Sequence, residues 1–268
     1  MKMAIRTDLA LEATALCGDA LPKAEWTDGD CRITKIEIKS DDQSRLSGKP
    51  KGVYLNIEVG NIATGAVECE KTATVLSRLL SSLLPEFSKA LFVGLGNPHL
   101  TADALGPKTA EGVLATRHIE RRFAESIGLS GLRSVAVMAP GVLGQTGMEA
   151  AEIVRAAIKT VEPDAVIVVD ALAAADVSRL GKTVQMNNFG IAPGSGVGNR
   201  RKELSSRTLG VPTVAVGIPT VAATENEELI ITSRDIDLLI KRSGELLAQA
   251  VNFSLQRDID REILLSLV

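Results

Sequence analysis

The sequence has few aromatic and few histidine side chains. Aromatic residues make up 3% of its 268 positions, and there are two histidines. Stacking of nucleic-acid bases on aromatic rings is therefore excluded as a main mode of recognition, and a zinc site built from several histidines cannot be assembled. Charge is also balanced, because 30 Lys and Arg face 33 Asp and Glu, unlike the basic surface of a nucleic-acid-binding protein. We expect no direct contact with nucleic acid and no metal or other cofactor.

Cysteines and long apolar runs are scarce as well. The three cysteines, Cys17, Cys31 and Cys69, form no Cys-x-x-Cys pair, and their odd number is typical of free thiols in a reducing compartment. No apolar run reaches the length of a membrane span, and residues 1–8 lack the apolar stretch of a secretory signal. We expect a cytoplasmic protein that does not bind membranes.

The spacing of apolar residues predicts an α/β fold. Residues 31–38 and 53–59 alternate apolar and polar side chains, which predicts a β-hairpin across residues 31–59, its strands joined by a loop. Residues 67–84 and 233–253 carry apolar side chains at helical spacing. The remaining short apolar runs alternate with helical stretches and comprise residues 90–95, 134–139, 165–169, 183–186 and 213–217. Such runs are typical of a mostly parallel central sheet with helices on both faces.

Two familiar catalytic motifs fail on inspection. Residues 94–96 form a Gly-x-Gly turn after a predicted strand, but His99 stands where a dinucleotide-binding loop has its third glycine. Ser195 is not in a Gly-x-Ser-x-Gly elbow, because Pro193 occupies the position of the first glycine. The remaining candidates for catalytic groups are therefore carboxylates, amides and main-chain groups.

Two aspartates lie where an α/β sheet ordinarily binds its ligand. Asp170 ends the apolar run 165–169, and Asp103 lies in the loop after the first predicted parallel strand. Carboxyl ends of parallel strands meet at one edge of a sheet, so both side chains can reach one cleft. A carboxylate pair shares a proton and can activate a water for amide hydrolysis. The alternative is structural, since aspartate after a strand is often a turn or helix-capping residue.

Two glycine-rich segments are further candidates for the cleft. Gln145 follows Gly144 in a predicted strand-to-helix turn, and both can line the cleft. Residues 194–202 combine glycines with basic side chains, so their main-chain amides can bind an acidic group. A flexible glycine turn with a solvated basic face explains the second segment equally well.

Several of these segments resemble the germination protease family of spore-forming bacteria. The matching stretches run through most of the chain in order and comprise residues 6–13, 94–97, 103–108, 139–147, 170–173, 193–199 and 217–221. The resemblance implies a hydrogenase-maturation-peptidase-like α/β fold and an aspartic-type endopeptidase whose catalytic residues are Asp103 and Asp170. It implies that the substrates are small acid-soluble spore proteins. It also implies a cytoplasmic location, in the forespore and spore core. Substrate contacts are then expected from Asn97, Gln145, Ser195 and Asn199.

The resemblance also implies a zymogen that processes itself and assembles as a homotetramer. Family members cut after an acidic residue and before an apolar one, with a further acidic residue shortly after, and residues 7–12 resemble such a site. We expect self-cleavage between Asp8 and Leu9. Residues 1–8 are then a short propeptide of a single peptidase domain, residues 1–268.

Two other functions compete with this interpretation. The Gly-x-Gly-Asn loop at residues 94–97 also resembles hydrogenase-maturation endopeptidases, although no histidine follows His118 to complete their metal site. A protein that binds acidic peptides through residues 194–202 and performs no chemistry is the second alternative.

Overall fold

The computed structural model describes residues 7–15, 17, 21–194, 201–223 and 229–267. In chain order its strands are β1 (Lys23–Asp28), β2 (Cys31–Ile38), β3 (Gly52–Glu58), β4 (Lys89–Gly94), β5 (Ser134–Met138), β6 (Ala165–Ala174), β7 (Thr183–Asn187), β8 (Gly190–Ile191), β9 (Leu204–Ser205), β10 (Thr213–Ala223) and β11 (Ile230–Thr232). Its helices are α1 (Ala10–Ala15), α2 (Asp41–Ser47), α3 (Cys69–Leu83), α4 (Leu105–Gly112), α5 (Arg121–Ser126), α6 (Leu143–Thr146), α7 (Ala150–Val161), α8 (Ser206–Leu209), α9 (Ile236–Leu255) and α10 (Arg261–Ser266).

One large sheet organises these elements. Its strand order is β1-β2-β3-β7-β10-β6-β4-β5, and β11 pairs with β10. The neighbours β10, β6, β4 and β5 run parallel, whereas β7, β3, β2 and β1 extend the sheet by antiparallel pairing. The carboxyl ends of β4, β6 and β10 therefore meet at one edge.

Helices cover both faces of the parallel strands. Successive residues of a strand point to opposite faces, and β6 follows this rule. Ile167 belongs to the core cluster that includes side chains of α3, α4 and α9. Val166 belongs to a separate cluster on the opposite face, which includes Val154 of α7. Because β6 is buried on both faces, it must be apolar throughout its first half, and a polar residue within it needs a specific reason.

The predicted α/β fold is confirmed, and the structure adds detail to it. The hairpin forms from β2 and β3, but its loop contains the helix α2, which Ser40 caps by accepting the N–H of Gln43 at 3.1 Å. α2 ends at Gly48 in the left-handed region, with φ of +67°. The hydroxyl of Ser44 then donates to the carbonyl of Lys49 at 2.7 Å. The hairpin loop is thus an ordered segment that positions Lys49.

Two strands differ from the sequence prediction in direction or existence. β7 was expected among the runs of the parallel sheet, yet it is antiparallel to both β3 and β10. Burial on both faces gives the same apolar run in either direction, so the pattern carries no directional signal. β1 was not predicted. Its residues are nearly all exposed, so the strand contributes almost no buried apolar side chain that would mark it in the sequence.

Candidate active site

A cleft opens at the carboxyl ends of β4, β6 and β10, where sheets of this class bind their ligands. It has a volume of about 340 Å³ and is lined by residues that follow or end all three strands. Asp8, Asp103 and Asp170 all line it. A larger groove of about 760 Å³ is lined mainly by α4, α9 and α10, but neither Asp103 nor Asp170 borders it. The smaller cleft is therefore the candidate active site.

Asp103 stands at the end of a tight loop between β4 and α4. The main-chain N–H of Asn97 donates to Asp103 Oδ2 at 2.8 Å, and the Thr220 hydroxyl of β10 donates to the carbonyl of Ala102 at 2.6 Å. Gly96 has φ of +119°, and a Cβ there would lie 1.8 Å from the carbonyl oxygen of Asp103. The loop needs glycine at this position, and it fixes Asp103 against the end of the sheet.

Gly106 allows α4 to pack closely against the strands that carry the loop of Asp103. A Cβ on Gly106 would lie 2.2 Å from the carbonyl oxygen of Leu95 and 2.6 Å from that of Val169. Main-chain atoms cannot rotate away, so we expect Gly106→Ala to lower the free energy of unfolding by about 1–3 kcal/mol, as overpacking does. Urea denaturation measures this. Gly144→Ala is the matched control, because its Cβ meets nothing within 4 Å, and equal stability of the two variants would contradict the packing argument.

Asp170 lies in β6 just beyond the point where β4 ends. The last pair between β4 and β6 joins Gly94 to Val169, whereas β10 continues along β6 and places Gly217 opposite Asp170. Asp170 is 4% exposed, and its Oδ1 accepts the N–H of Ala171 at 2.9 Å. The strand therefore delivers a buried carboxyl group to the floor of the cleft.

The two carboxyl groups interact electrostatically. Burial raises the pKa of Asp170 well above its ordinary value, and the negative charges of Asp103 and Asp8 raise it further against the opposing effect of the Ala171 N–H. Burial also raises the pKa of Asp103, although the N–H of Asn97 opposes the shift. Like charges in one poorly solvated site do not both ionise readily. The pair therefore retains a proton at a pH where exposed aspartates have lost theirs, with Asp170 as its preferred holder.

The N-terminal segment lies along the edge of β6 that β4 leaves open. Asp8 donates its N–H to the carbonyl of Ala173 at 2.8 Å, and its Oδ2 accepts the Ala173 N–H at 2.9 Å. The main-chain N–H and C=O groups of every second residue point to the same edge of a strand. The main-chain groups of Ala173 therefore point to the edge of β6 at which the carbonyl of Val169 accepts the N–H of Leu95, just after β4. Asp8 thus occupies the place that a longer β4 would take, with its side chain in the cleft.

The half-buried Lys49 and the buried Gln185 hold the carbonyl oxygen of Asp8. Lys49 Nζ donates to it at 3.0 Å and also to the carbonyl of Thr7 at 3.0 Å, while Gln185 Nε2 donates to it at 3.1 Å. Burial lowers the pKa of Lys49, and the charges of Asp8 and Glu12 oppose this shift. The polarised peptide bond is the one that joins Asp8 to the fully buried Leu9.

Glu12, in the first turn of α1, anchors the same segment. Its two carboxylate oxygens accept main-chain N–H groups, Oε2 from Ala175 at 2.8 Å and Oε1 from Asp176 at 3.0 Å. The hydroxyl of Thr7 also donates to Oε2, and Arg179 Nε lies 3.5 Å from Oε1. The segment is therefore held at both ends, at residue 8 through its main chain and at residue 12 through its side chain.

Neither a metal centre nor a membrane span is found in the part of the chain that the structure describes. Within the described ranges, His, Cys, Asp and Glu side chains form no group of three or more that could hold a metal ion. Among the same residues, no helix combines the length and the apolar character that crossing a bilayer demands.

A family model described as germination protease matches residues 12–226, which contain both aspartates and the strands that carry them. The chain belongs to the germination protease family. It is 40% identical over 251 residues to a germination protease of Caldanaerobacter subterraneus, covering 91% of this chain and 76% of that one. The identity is 37% to the Clostridium acetobutylicum protein, with 96% and 82% covered, and 40% to the Bacillus licheniformis protein, with 90% and 68% covered.

A search of solved structures finds a [NiFe] hydrogenase maturation protease, HycI, from Thermococcus kodakarensis. It has a TM-score of 0.40 and 18% sequence identity, and it covers 65% of this chain and 98% of that one.

The structure places the remaining sequence-predicted residues as follows. Asn97 lines the cleft, and Gln145 lies beside it, where its Nε2 donates to Asn97 Oδ1 at 2.7 Å. Ser195 and Asn199 lie outside the described residues. Arg201 and Lys202, at the basic end of residues 194–202, line the cleft.

Sequence reasoning missed Lys49, Gln185 and Arg179. Lys49 follows a helix that the sequence did not predict, and Arg179 lies in a short 3-10 turn, Val177–Arg179, after β6. Gln185 alone carried a usable signal, since it is a polar residue inside an apolar run that becomes a strand buried throughout. A buried polar side chain requires hydrogen-bond partners, and here they are the carbonyl of Asp8, to which Gln185 Nε2 donates, and the N–H of Ala10, which Gln185 Oε1 accepts.

Proposed function

We propose that this chain is an aspartic-type endopeptidase that starts the degradation of small acid-soluble spore proteins during germination. The observation that carries the proposal is the meeting of Asp103 and Asp170 in one cleft, with the chain's own residue 8 lying along the adjoining strand edge. Membership of the germination protease family supports a protein substrate. A bound polypeptide extends the sheet at that edge, as peptides commonly do at an open strand.

In the proposed mechanism, a water molecule lies between the two carboxyl groups. Asp103, the less buried of the pair, is ionised and takes a proton from the water as its oxygen attacks the peptide carbonyl carbon. Asp170, protonated at the start, donates its proton to the departing nitrogen as the C–N bond breaks. The products are a carboxylic acid, which ionises in water, and an amine. The proton that Asp103 gained passes to Asp170 and restores the starting state of the pair.

Lys49 and Gln185 stabilise the charge that this attack creates. They donate to the carbonyl oxygen of Asp8 from 3.0 and 3.1 Å, which is where a tetrahedral intermediate would carry its negative charge. Donors that are already aligned in a site that excludes water contribute strongly to such reactions. Asn97 and Gln145 at the rim, with Ser195 and Asn199, complete the proposed substrate contacts.

The chain is proposed to cut itself between Asp8 and Leu9. Residues 1–8 then act as the propeptide of a zymogen that comprises a single peptidase domain, residues 1–268. The main-chain hydrogen bond of Asp8 to Ala173 and the hydrogen bonds of Lys49 and Gln185 to the Asp8 carbonyl support this proposal. They are the contacts expected for a bound substrate residue at that position. An occupied cleft also keeps the uncut protein from accepting other chains.

We propose a location and an assembly that the family resemblance supports. The protein acts in the forespore and spore core, where its proposed substrates are, and it acts as a homotetramer. Light scattering coupled to size-exclusion chromatography measures the assembly directly, and a monomer at working concentration would contradict that part of the proposal.

Incubation with a purified small acid-soluble spore protein tests the proposed function. We expect discrete fragments in mass spectrometry, each cut between an acidic residue and an apolar one. We expect the protease itself, held at mildly acidic pH, to lose residues 1–8. Substrate that binds but stays intact would identify a binding protein, and fragments with an uncut N-terminus would contradict the self-processing step alone.

A further inference from the structure

A row of polar side chains crosses one face of the sheet beneath the N-terminal segment. Directly paired residues of neighbouring strands share a face, and the register places Thr34 of β2 opposite Asn56 of β3, and Asn56 opposite Gln185 of β7. All three side chains are buried. On β10, Gly217 lies between Gln185 and Asp170. The row therefore continues the line of the active site across the sheet.

Gln185 binds the main chain of the N-terminal segment with both polar atoms of its side-chain amide. Its Nε2 donates to the carbonyl of Asp8 at 3.1 Å, and its Oε1 accepts the N–H of Ala10 at 2.5 Å. In an extended chain, the carbonyl of one residue and the N–H of the residue two positions further on point to the same side. Gln185 thus acts as a main-chain clamp, because one amide binds both groups.

Asn56 carries the same amide without using it. Within the described residues, neither its Oδ1 nor its Nδ2 has a hydrogen-bond partner, although Asn56 is only 1% exposed. A buried amide without partners costs free energy, so its presence calls for a reason. The helix α1 covers this face, because Ala10 shares a buried cluster with Ile36 and Tyr54. The main chain of a helix bonds to itself, which leaves the amide of Asn56 unpaired.

The spacing of the row suits a peptide that stays extended beyond the point where α1 begins. Neighbouring strands lie about 4.8 Å apart, and an extended chain advances about 6.7 Å in two residues. Side chains on adjacent strands, such as Gln185 and Asn56, can therefore reach successive pairs of main-chain groups. Thr34, at the end of the row, lines a groove of about 550 Å³ beside α1. A longer peptide can continue into this groove.

We propose that Asn56 is a second main-chain clamp for the substrate. It binds the carbonyl of the second residue and the N–H of the fourth residue after the cut, whereas Gln185 binds main-chain groups on either side of the cut. This inference rests on the proposed function and adds to it a requirement on substrate conformation, namely that the chain after the cut is extended. The uncut protein leaves the clamp unused, because its residues 10–15 form α1. A substrate reaches Asn56 once α1 has left this face.

Two peptides that differ in one main-chain group test the clamp. Both carry the sequence of residues 4–15. In one of them an ester replaces the amide between Leu11 and Glu12, which removes the N–H of the fourth residue after the cut. Binding is measured by fluorescence anisotropy to the full-length chain with Asp170→Asn, which prevents cutting. We expect the amide peptide to bind about 3–10-fold more tightly than the ester peptide, as the loss of one hydrogen bond gives.

Replacing Asn56 shows whether this preference comes from its amide. In the same background, Asn56→Leu should reduce the ratio of the two affinities to about 1, because leucine offers no acceptor for the N–H. Asn56→Val, which is smaller, gives the same test if leucine disturbs the packing. Ser243→Ala is the matched control, because the Ser243 hydroxyl is also buried and unpaired among the described residues but lies on α9, on the opposite face. It should leave the ratio unchanged. An unchanged ratio in the Asn56 variants would overturn the clamp.

Cleavage assays distinguish failure of the clamp from failure of the proposed function. If the unmodified chain cuts both peptides between Asp8 and Leu9 with equal kcat/KM, the protease assignment stands and the clamp is wrong. If the chain with Asp170→Asn prefers the amide peptide and Asn56→Leu abolishes the preference, but the unmodified chain cuts neither peptide, the clamp stands and the protease assignment is wrong.

Discussion

Asp103→Asn and Asp170→Asn should each lower the rate of peptide cutting by at least about 10³-fold, as loss of an essential acid or base does. Asparagine has the shape of aspartate but neither accepts a proton from water nor donates one to a leaving nitrogen. At Asp170 it also preserves the hydrogen bond from the N–H of Ala171, because that bond uses Oδ1. The loss should therefore appear in kcat, measured on a purified spore-protein substrate.

Asp42→Asn is the matched control for both variants. Asp42 belongs to α2, its side chain is almost fully exposed and its partner Arg45 is equally solvated, so the same chemical change should leave the cutting rate unaltered. Near-normal cutting by either active-site variant would contradict the two-carboxylate mechanism while leaving the family assignment intact.

The Asp170→Asn variant should also unfold at a higher temperature than the parent at pH 7. The folded-state pKa of Asp170 lies above its unfolded value, so the folded state binds more protons and loses relative stability as pH rises between the two values. The cost amounts to about 1.4 kcal/mol for each pH unit in that interval. Asparagine removes the cost. The difference between the melting temperatures should shrink toward zero as pH falls to the ordinary pKa of aspartate, and a pH-independent difference would rule out ionisation as its cause.

The pH dependence of cutting has the same origin. The mechanism needs an ionised Asp103 and a protonated Asp170, and burial raises both pKa values, that of Asp170 the more strongly. Activity should fall on the acidic side as Asp103 gains a proton and on the alkaline side as Asp170 loses its proton. The two limits belong to the coupled pair rather than to either residue alone, and the pH profile of kcat/KM measures them.

The positions of Asp103 and Asp170 after predicted strands were sufficient to predict that the two residues share one cleft. Asp170 ends a continuous apolar run and Asp103 follows another, and parallel strands bring such positions together whatever the details of the sheet. Direction was harder to predict. Residues 183–187 are buried on both faces and form an antiparallel strand, β7, between β3 and β10. Burial on both faces is possible for either strand direction, so the residues of the strand do not indicate its direction.

Lys49 and Gln185 could not be placed from sequence for a related reason. Gln185 lies in β7, in the antiparallel half of the sheet, and Lys49 lies in the loop that leads into β3. They meet at residue 8 because β3 pairs with β7 and β7 with β10. Their contacts with a segment more than forty residues away depend on that register, which local patterns do not encode. Arg179 is comparable, since a basic residue in a short turn is ordinarily a solvated side chain.

Lys49→Met should slow self-cleavage and peptide cutting by about 10²–10³-fold, the usual cost of removing one donor to a developing oxyanion. Methionine fills the volume of the lysine stem but cannot donate to the carbonyl oxygen of residue 8. Gln185→Leu removes the second donor and should act in the same direction. Because the charge on the carbonyl oxygen grows only during the reaction, most of the loss should appear in kcat, with KM changed little.

Lys51→Met provides the matched control for Lys49→Met. Lys51 lies two residues further along the same loop, is half exposed and pairs with Asp41 on the surface, so its replacement should alter neither kcat nor melting temperature. If Lys49→Met instead raised KM and left kcat unchanged, Lys49 would serve to bind the segment rather than to stabilise the intermediate. The geometry favours stabilisation of the intermediate, because Lys49 Nζ and Gln185 Nε2 both donate to the carbonyl oxygen of Asp8. Asp8 itself borders the cleft that holds the two carboxyl groups.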